Sequence, residues 1–355
     1  MPAIFARNFS TSAGGNWTSY STWEENSGKD CGVDDCYIPS SSDVVEINGD
    51  VIVNSDTTIF GLMVNSGATL ANHSSYSRTL TVTGGILNDG TIQTNPAGHL
   101  LSLEVDGGIN NQGTWSPYRT TLLGNMEVFN TTTLGGTYFD CDENILTVNS
   151  PNVVTISGDL LNSTHTFNGT GIVHLGGKTQ GTIIGNIPEL HISGAADSFI
   201  HASMSVPKVI FEADSFIVST DTVTINGDVE IAADTIVQNN SSYSRTLAVN
   251  GNIVNNGTLR SNPAGSSLSV KVAGDIENNG TWSPYWTRVV WDAVASVDYY
   301  EFALTQDPEN WPAPTTTNHT YYDVSGLLGD SYYWKVRAKL TDDSYTDWSS
   351  VKTIN

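Results

Sequence analysis

Positive charge is what this chain has least of. Fourteen lysines and arginines stand against 37 aspartates and glutamates in 355 residues, a formal net charge of −23. A phosphate backbone or an anionic lipid surface would be repelled, so nucleic acid is excluded as a partner. Charge of either sign is low, 14% of residues, against about a quarter in an average soluble domain. Gly, Asn, Ser and Thr must fill the surface instead, which is a turn-rich, all-β composition. No apolar run approaches the roughly 20 residues of a bilayer-spanning helix. The N-terminus carries no signal-peptide core, and the chain is expected to be soluble as given, with no membrane insertion.

Other absences narrow the chemistry. The seven histidines (His73, His99, His165, His174, His191, His201, His319) are scattered, with no pair at metal-ligand spacing. Gly177-Lys178-Thr179 lacks the earlier glycine of a phosphate loop, because position 172 is Ile172. No Arg-Gly-Asp tripeptide occurs. Of three cysteines, Cys31 and Cys36 flank four residues in DCGVDDC and suit a small disulfide loop in an oxidising compartment. Free thiols and a metal pair are the competing readings. Cys141 has no evident partner and reads as a buried apolar residue.

What is present is repetition. Ser74 to Tyr118 returns as Ser241 to Tyr285 at a constant offset of 167 residues. Inside each copy, a β-branched residue, any residue, Gly, then Gly, Asn or Asp, then an aliphatic recurs after 23 residues: Val82 to Ile86 and Val105 to Ile109, Val249 to Ile253 and Val272 to Ile276. Ile47 to Val51, Ile156 to Leu160 and Ile225 to Val229 carry the same signature. A period in the low twenties with short aliphatic strands between Gly, Asn and Asp turns is that of a parallel β-helix, or β-solenoid. Each coil cannot bury its own apolar face, so it must stack on a neighbour about 4.8 Å away. Residues 40–286 would make about eleven coils and a rod on the order of 50 Å long.

The chain divides accordingly. Residues 1–39 read as an N-terminal strand and cap, with Trp17 and Trp23 to plug the first coil. Residues 40–286 form the solenoid with its internal duplication (74–118 and 241–285). GNWTSYSTW, then a Pro, a Ser/Asp turn and VVEINGDVIV resemble the opening of parallel β-helix segments of secreted bacterial surface proteins, which are adhesin-like. The resemblance spans about residues 14–286; it implies an extracellular or cell-surface location and specifies architecture better than activity. Residues 287–355 change texture, holding Trp291, Trp311, Trp334 and Trp348. RVVWDAVASVDYYEFALT, TYYDVSGLLGDSYYWKVRAKL and DWSSVKTIN resemble a fibronectin type III domain, a β-sandwich, with Trp291 as its core tryptophan and Tyr332 at its tyrosine corner. Tyr332, Trp334, Val336 and Ala338 alternate with Tyr333, Lys335, Arg337 and Lys339, the pattern of a strand with one buried face. The family's first strand has no evident counterpart.

Candidate sites are few. Parallel β-helix lyases and hydrolases need acids beside Lys or Arg in one groove, and residues 40–286 hold only seven bases: Arg78, Arg119, Lys178, Lys208, Arg245, Arg260 and Lys271. No catalytic constellation is expected, and the chain reads as no enzyme. Asp140, Asp142 and Glu143 could hold Ca²⁺; solvated turn residues are the competing reading, and no other cofactor is implied. Tyr76, Tyr118, Tyr243 and Tyr285 recur in both copies as a candidate aromatic surface for a glycan. Trp115 and Trp282 in the two TWSPY segments suit the same role or packing within a coil. The functional expectation is an extracellular structural or adhesive protein. In its sharper form, the N-terminal segment with Ile4, Phe5 and Phe9 donates a strand to the incomplete C-terminal domain of the next chain, building a filament head to tail. The alternative is a carbohydrate-binding or carbohydrate-active module that meets a surface glycan or protein.

Overall fold

The structure is a computed structural model and describes residues 8–11, 14–25, 38–161, 163–194, 198–201, 203–217, 222–239, 242–264, 266–284, 286–324 and 332–354. It is an all-β parallel solenoid of about ten turns with almost no helix. Two compact units, 1–188 and 189–355, are described in turn.

In the first unit the repeated signature marks a corner. Val82 and Ile86 are the inward residues on either side of a bend at Gly84 and Gly85, within the strand Arg78–Asn88. Stacking in register turns each into a column. Ile59, Val82, Val105 and Leu122 lie over one another, as do Val45, Leu62, Ile86, Ile109 and Val128. All nine are buried. Burying such a side chain is worth roughly 1.5–3 kcal/mol, and only a neighbouring rung can cover it. The rung length is less regular than the sequence signature suggests. Val82 pairs with Val105, a step of 23, but Val44 pairs with Gly61 and Ser102 with Arg119, steps of 17, and Ile145 with Thr166, a step of 21. Inward columns tolerate this variation because the corners, not the strands, absorb the missing residues.

The first rung is filled as expected. Trp17 and Trp23 are buried edge to face with centroids 4.8 Å apart, and Trp23 Nε1 donates to the Trp17 carbonyl at 2.7 Å. Asn8–Thr11 stacks parallel on Val44–Ile47, with Glu24–Glu25 antiparallel along its other edge. Phe9 is therefore buried in its own chain, whereas the strand-donation expectation placed it in the next one. Ile4 and Phe5 lie outside the described residues.

In the second unit three faces stack. One carries Ile225, Val249, Val272 and Val289, another Val209, Val229, Ile253 and Ile276, and the third Val237, Leu259 and Trp282. Two faces run on into the C-terminal segment. Trp286–Val290 pairs parallel with Leu268–Val272 and antiparallel with Tyr321–Val324. Ile354 pairs parallel with Ile276, while Lys352–Ile354 pairs antiparallel with Tyr332–Leu340. Val297–Thr305 lies between Thr315–Thr317 and Tyr332–Leu340, antiparallel to both. Trp334, Val336 and Ala338 are buried and Lys335, Arg337 and Lys339 are half-buried on the opposite face, the alternation read from the sequence. Trp291 stacks on Phe302 at 5.9 Å, and Phe302 on Tyr322 at 4.5 Å.

One edge of Trp286–Val290 is thus occupied by the solenoid strand Leu268–Val272, parallel, and the other by Tyr321–Val324, antiparallel.

Candidate functional site

The duplicated tyrosines lie on turns. Tyr76 and Tyr243 are 57% and 64% exposed, and the guanidinium carbons of Arg78 and Arg245 sit 5.0 and 4.9 Å from the two ring centroids. Each arginine also donates from Nη1 to the preceding serine carbonyl, Ser77 or Ser244, at 3.1 Å. Tyr118 instead packs edge-on against Tyr138, with centroids 5.2 Å apart, and Tyr285 lies outside the described residues. The two TWSPY tryptophans serve packing. Trp115 is buried and donates from Nε1 to Thr120 Oγ1 at 3.1 Å; half-buried Trp282 donates to Thr287 Oγ1 at 3.0 Å.

A cluster that sequence reading missed centres on Asp140. Its carboxylate accepts from Arg119 Nη2 at 2.6 Å, from the Ser163 hydroxyl at 2.7 Å and from the Asp142 N–H at 3.0 Å. Burial alone would raise its pKa; the Ser163 hydroxyl, the Asp142 N–H and the Arg119 guanidinium outweigh burial and hold it below the ordinary carboxylate value. An Arg already neutralises this carboxylate, and Asp142 and Glu143 are exposed. The three acids therefore do not converge on one cation position. Cys31 and Cys36 lie outside the described residues. Cys141 is free and buried, and burial pushes its thiol far up.

Ser163, His165 and Asp140 are the residue types of a nucleophilic triad, but their protons are placed otherwise. Ser163 donates to Asp140. His165 Nε2, 2.7 Å from the Leu161 carbonyl, must carry a proton, and Nδ1 accepts the Cys141 N–H at 3.4 Å. With both ring nitrogens engaged and the ring fully buried, the imidazole has no lone pair for Ser163, 3.4 Å from Nε2. A second cluster, in the other unit, is likewise spent. Lys208 Nζ bridges Glu230 at 2.8 Å and Glu189 at 3.5 Å, and His191 faces Glu212 at 2.8 Å and Glu189 at 3.3 Å. The lysine stands between two carboxylates that a glycosidase would need apart and free.

No known protein family, curated protein or solved structure matches this chain. Among the described residues no helix is long and apolar enough to cross a membrane.

The buried cluster predicts how acid acts. Burial lowers the His165 pKa against the opposing pull of the Leu161 carbonyl and Asp140. Below about pH 6.5, the ordinary histidine value, the unfolded chain takes up a proton that the folded chain refuses. Stability held above that pH is therefore lost as pH falls toward the folded value. Asp140 adds a second loss below about pH 3.9, as pH falls through its depressed value. His165→Gln should flatten the slope of unfolding free energy against pH just below about pH 6.5 and leave the lower step intact. Urea melts across pH would read this, and an unchanged slope would assign the titration to another group.

The spacing of this cluster contains its own signal. Arg119, Asp140 and Ser163 are 21 and 23 residues apart, each on the next rung and two positions past the register partner, since Arg119 pairs with Tyr138 and Tyr138 with Asp159. Polar residues repeated at rung spacing meet in space, as Asn88, Asn111 and Thr132 also do through side-chain bonds of 2.6 and 2.8 Å.

Proposed function

We propose that the chain is a non-catalytic scaffold of the extracellular or cell-surface kind, whose work is done by the outward side chains of its stacked rungs. The observation that carries this reading is the internal spending of its reactive groups. In the Asp140 cluster the carboxylate is taken by Arg119 and Ser163 and both His165 ring nitrogens by backbone groups, and in the Lys208 cluster the lysine and His191 each face two carboxylates. The low charge and the Gly, Asn, Ser and Thr surface support a structural or adhesive role over an enzymatic one.

Residues 287–355 read best as a fibronectin type III-like module fused to the last rung. Trp286–Val290 pairs antiparallel with Tyr321–Val324, Val297–Thr305 with Tyr332–Leu340 and Tyr332–Leu340 with Lys352–Ile354, as the second strand does with the fifth, the third with the sixth and the sixth with the seventh in an immunoglobulin-like sandwich. Leu268–Val272 occupies the edge that the first strand of such a sandwich would take, but runs parallel to Trp286–Val290. A filament joined by strand donation is not favoured, because the acceptor edge and Phe9 are both engaged within one chain.

Sedimentation and negative-stain imaging, with and without residues 1–9, test the assembly. Isolated particles in both samples are expected; filaments that vanish with the deletion would restore the donated strand. Incubation with polysaccharides should release no new reducing ends, and their appearance would overturn the non-catalytic reading.

A further inference from the structure

The two copies of the duplicated block serve as each other's control. Where the first copy exposes Thr83, Asp89, Asp106 and Gln112, the second has Asn250, Asn256, Ala273 and Asn279. Thr114 apart, the exposed residues kept among those described in both copies lie in two turns, 75–77 and 96–97, repeated as 242–244 and 263–264. Exposed positions have drifted except at this one corner.

Hydrogen bonding explains part of that retention. Ser77 Oγ accepts the Leu100 N–H at 3.1 Å, and Ser244 Oγ accepts the Ser267 N–H at 3.3 Å. Asn72 Oδ1 accepts the Asn95 N–H at 2.7 Å, and Asn239 Oδ1 the Asn262 N–H at 2.9 Å. These bonds stack one turn on the next rung and account for Ser77, Ser244 and the asparagines. They do not account for Tyr76 and Tyr243. A ring more than half exposed buries little, and a substitution there would be nearly neutral for stability. Yet both copies keep the tyrosine, the arginine against one ring face at 5.0 or 4.9 Å, and an exposed proline, Pro96 or Pro263, on the adjoining turn.

We propose that each copy of this corner is a binding site for a neutral saccharide. The exposed part of the Tyr76 ring, which also has the His73 ring beside it at 5.7 Å, or of the Tyr243 ring takes the apolar face of a sugar, and the neighbouring guanidinium of Arg78 or Arg245 donates to its hydroxyls. A tyrosine offers a large rigid surface at low entropic cost, and the planar guanidinium fork matches paired oxygen acceptors. The net charge of −23 selects neutral over anionic glycans, since the surrounding field repels a polyanion. This builds on the non-catalytic reading: the sugar is held and is not cleaved.

Titration calorimetry of the full chain with neutral hexasaccharides of glucose, galactose, mannose and N-acetylglucosamine, beside oligogalacturonate, tests the proposal. At least one neutral hexasaccharide is expected to saturate two sites per chain. Tyr76→Ala with Tyr243→Ala should weaken that binding tenfold or more with unchanged amide exchange in Arg78–Asn88 and Arg245–Val249, and either single variant should remove one of the two sites. Arg78→Lys with Arg245→Lys keeps the charge, loses the fork, and should also weaken binding. The proposal is overturned if no neutral hexasaccharide saturates up to about 10 mM, if the double tyrosine variant binds as the parent does, or if oligogalacturonate is preferred. Absent binding would leave the scaffold reading standing. Release of reducing ends from a bound sugar would instead remove the non-catalytic reading and leave the site.

Discussion

A chain ending at Pro284 is expected to associate into oligomers or fibres at concentrations where the full chain stays monomeric. Residues 286–354 cover two of the three faces at the last rung of the second unit. Trp286–Val290 lies along Leu268–Val272, and Ile354 lies over Ile276. Both covering strands then meet antiparallel neighbours, Tyr321–Val324 and Tyr332–Leu340, which ends parallel stacking. Cutting the segment away bares unpaired backbone amides beside the fully buried columns of Val270 and Val272. A flat, apolar, unpaired edge is a template for another strand, and here the next rung is the shape it is built to accept. Sedimentation velocity across a concentration series would read the change. A truncated chain that remained monomeric would mean that the uncovered rung frays instead of pairing, and that the C-terminal segment is not what keeps chains apart.

Gly107→Ala should be the most damaging methyl that can be added to the first unit. A Cβ there would lie 1.5 Å from the Gly84 carbonyl oxygen of the rung beneath, at φ +145°, where L residues are strained. Backbone cannot move aside without parting two rungs, so the expected loss is about 3 kcal/mol or more. Two neighbouring glycines isolate the cause. At Gly108 the clash is with the Phe129 ring, 2.1 Å away, but that ring is 59% exposed and can swing out. At Gly98 a Cβ meets nothing within 4 Å, and only φ +104° opposes it, worth about 1 kcal/mol. Solenoids open locally, so a single melting temperature is a poor measure. Amide hydrogen exchange in Arg78–Asn88 and Leu101–Val105 should accelerate strongly for Gly107→Ala and little for the other two. Equal acceleration for Gly107→Ala and Gly98→Ala, with little for Gly108→Ala, would show that φ, not rung contact, sets the cost.

Much of the solenoid is legible in the chain because its core is periodic. Val82, Ile86, Val105 and Ile109 declare the inward columns, their glycines declare the corners, and Trp17 and Trp23 declare the plug of the first rung. The duplication further marks Tyr76 and Tyr243 as a pair. Rung count is less legible, since steps of 17 and 21 residues stand among those of 23, and eleven expected coils become about ten. A short turn removes residues without disturbing the column, so the period drifts while the packing does not.

The chain's periodicity carries the local rule: which residues face inward, where the backbone bends, and that each coil needs another. Which partner fills each place was settled only by long-range packing. Leu268–Val272, not a strand from another chain, lies beside Trp286–Val290. Phe9 is consumed in its own rung, and Arg119, Asp140, Ser163 and His165 close on one another instead of opening a site. Such choices rest on pairings between residues far apart in the chain, where register and burial, not local preference, settle which contact forms.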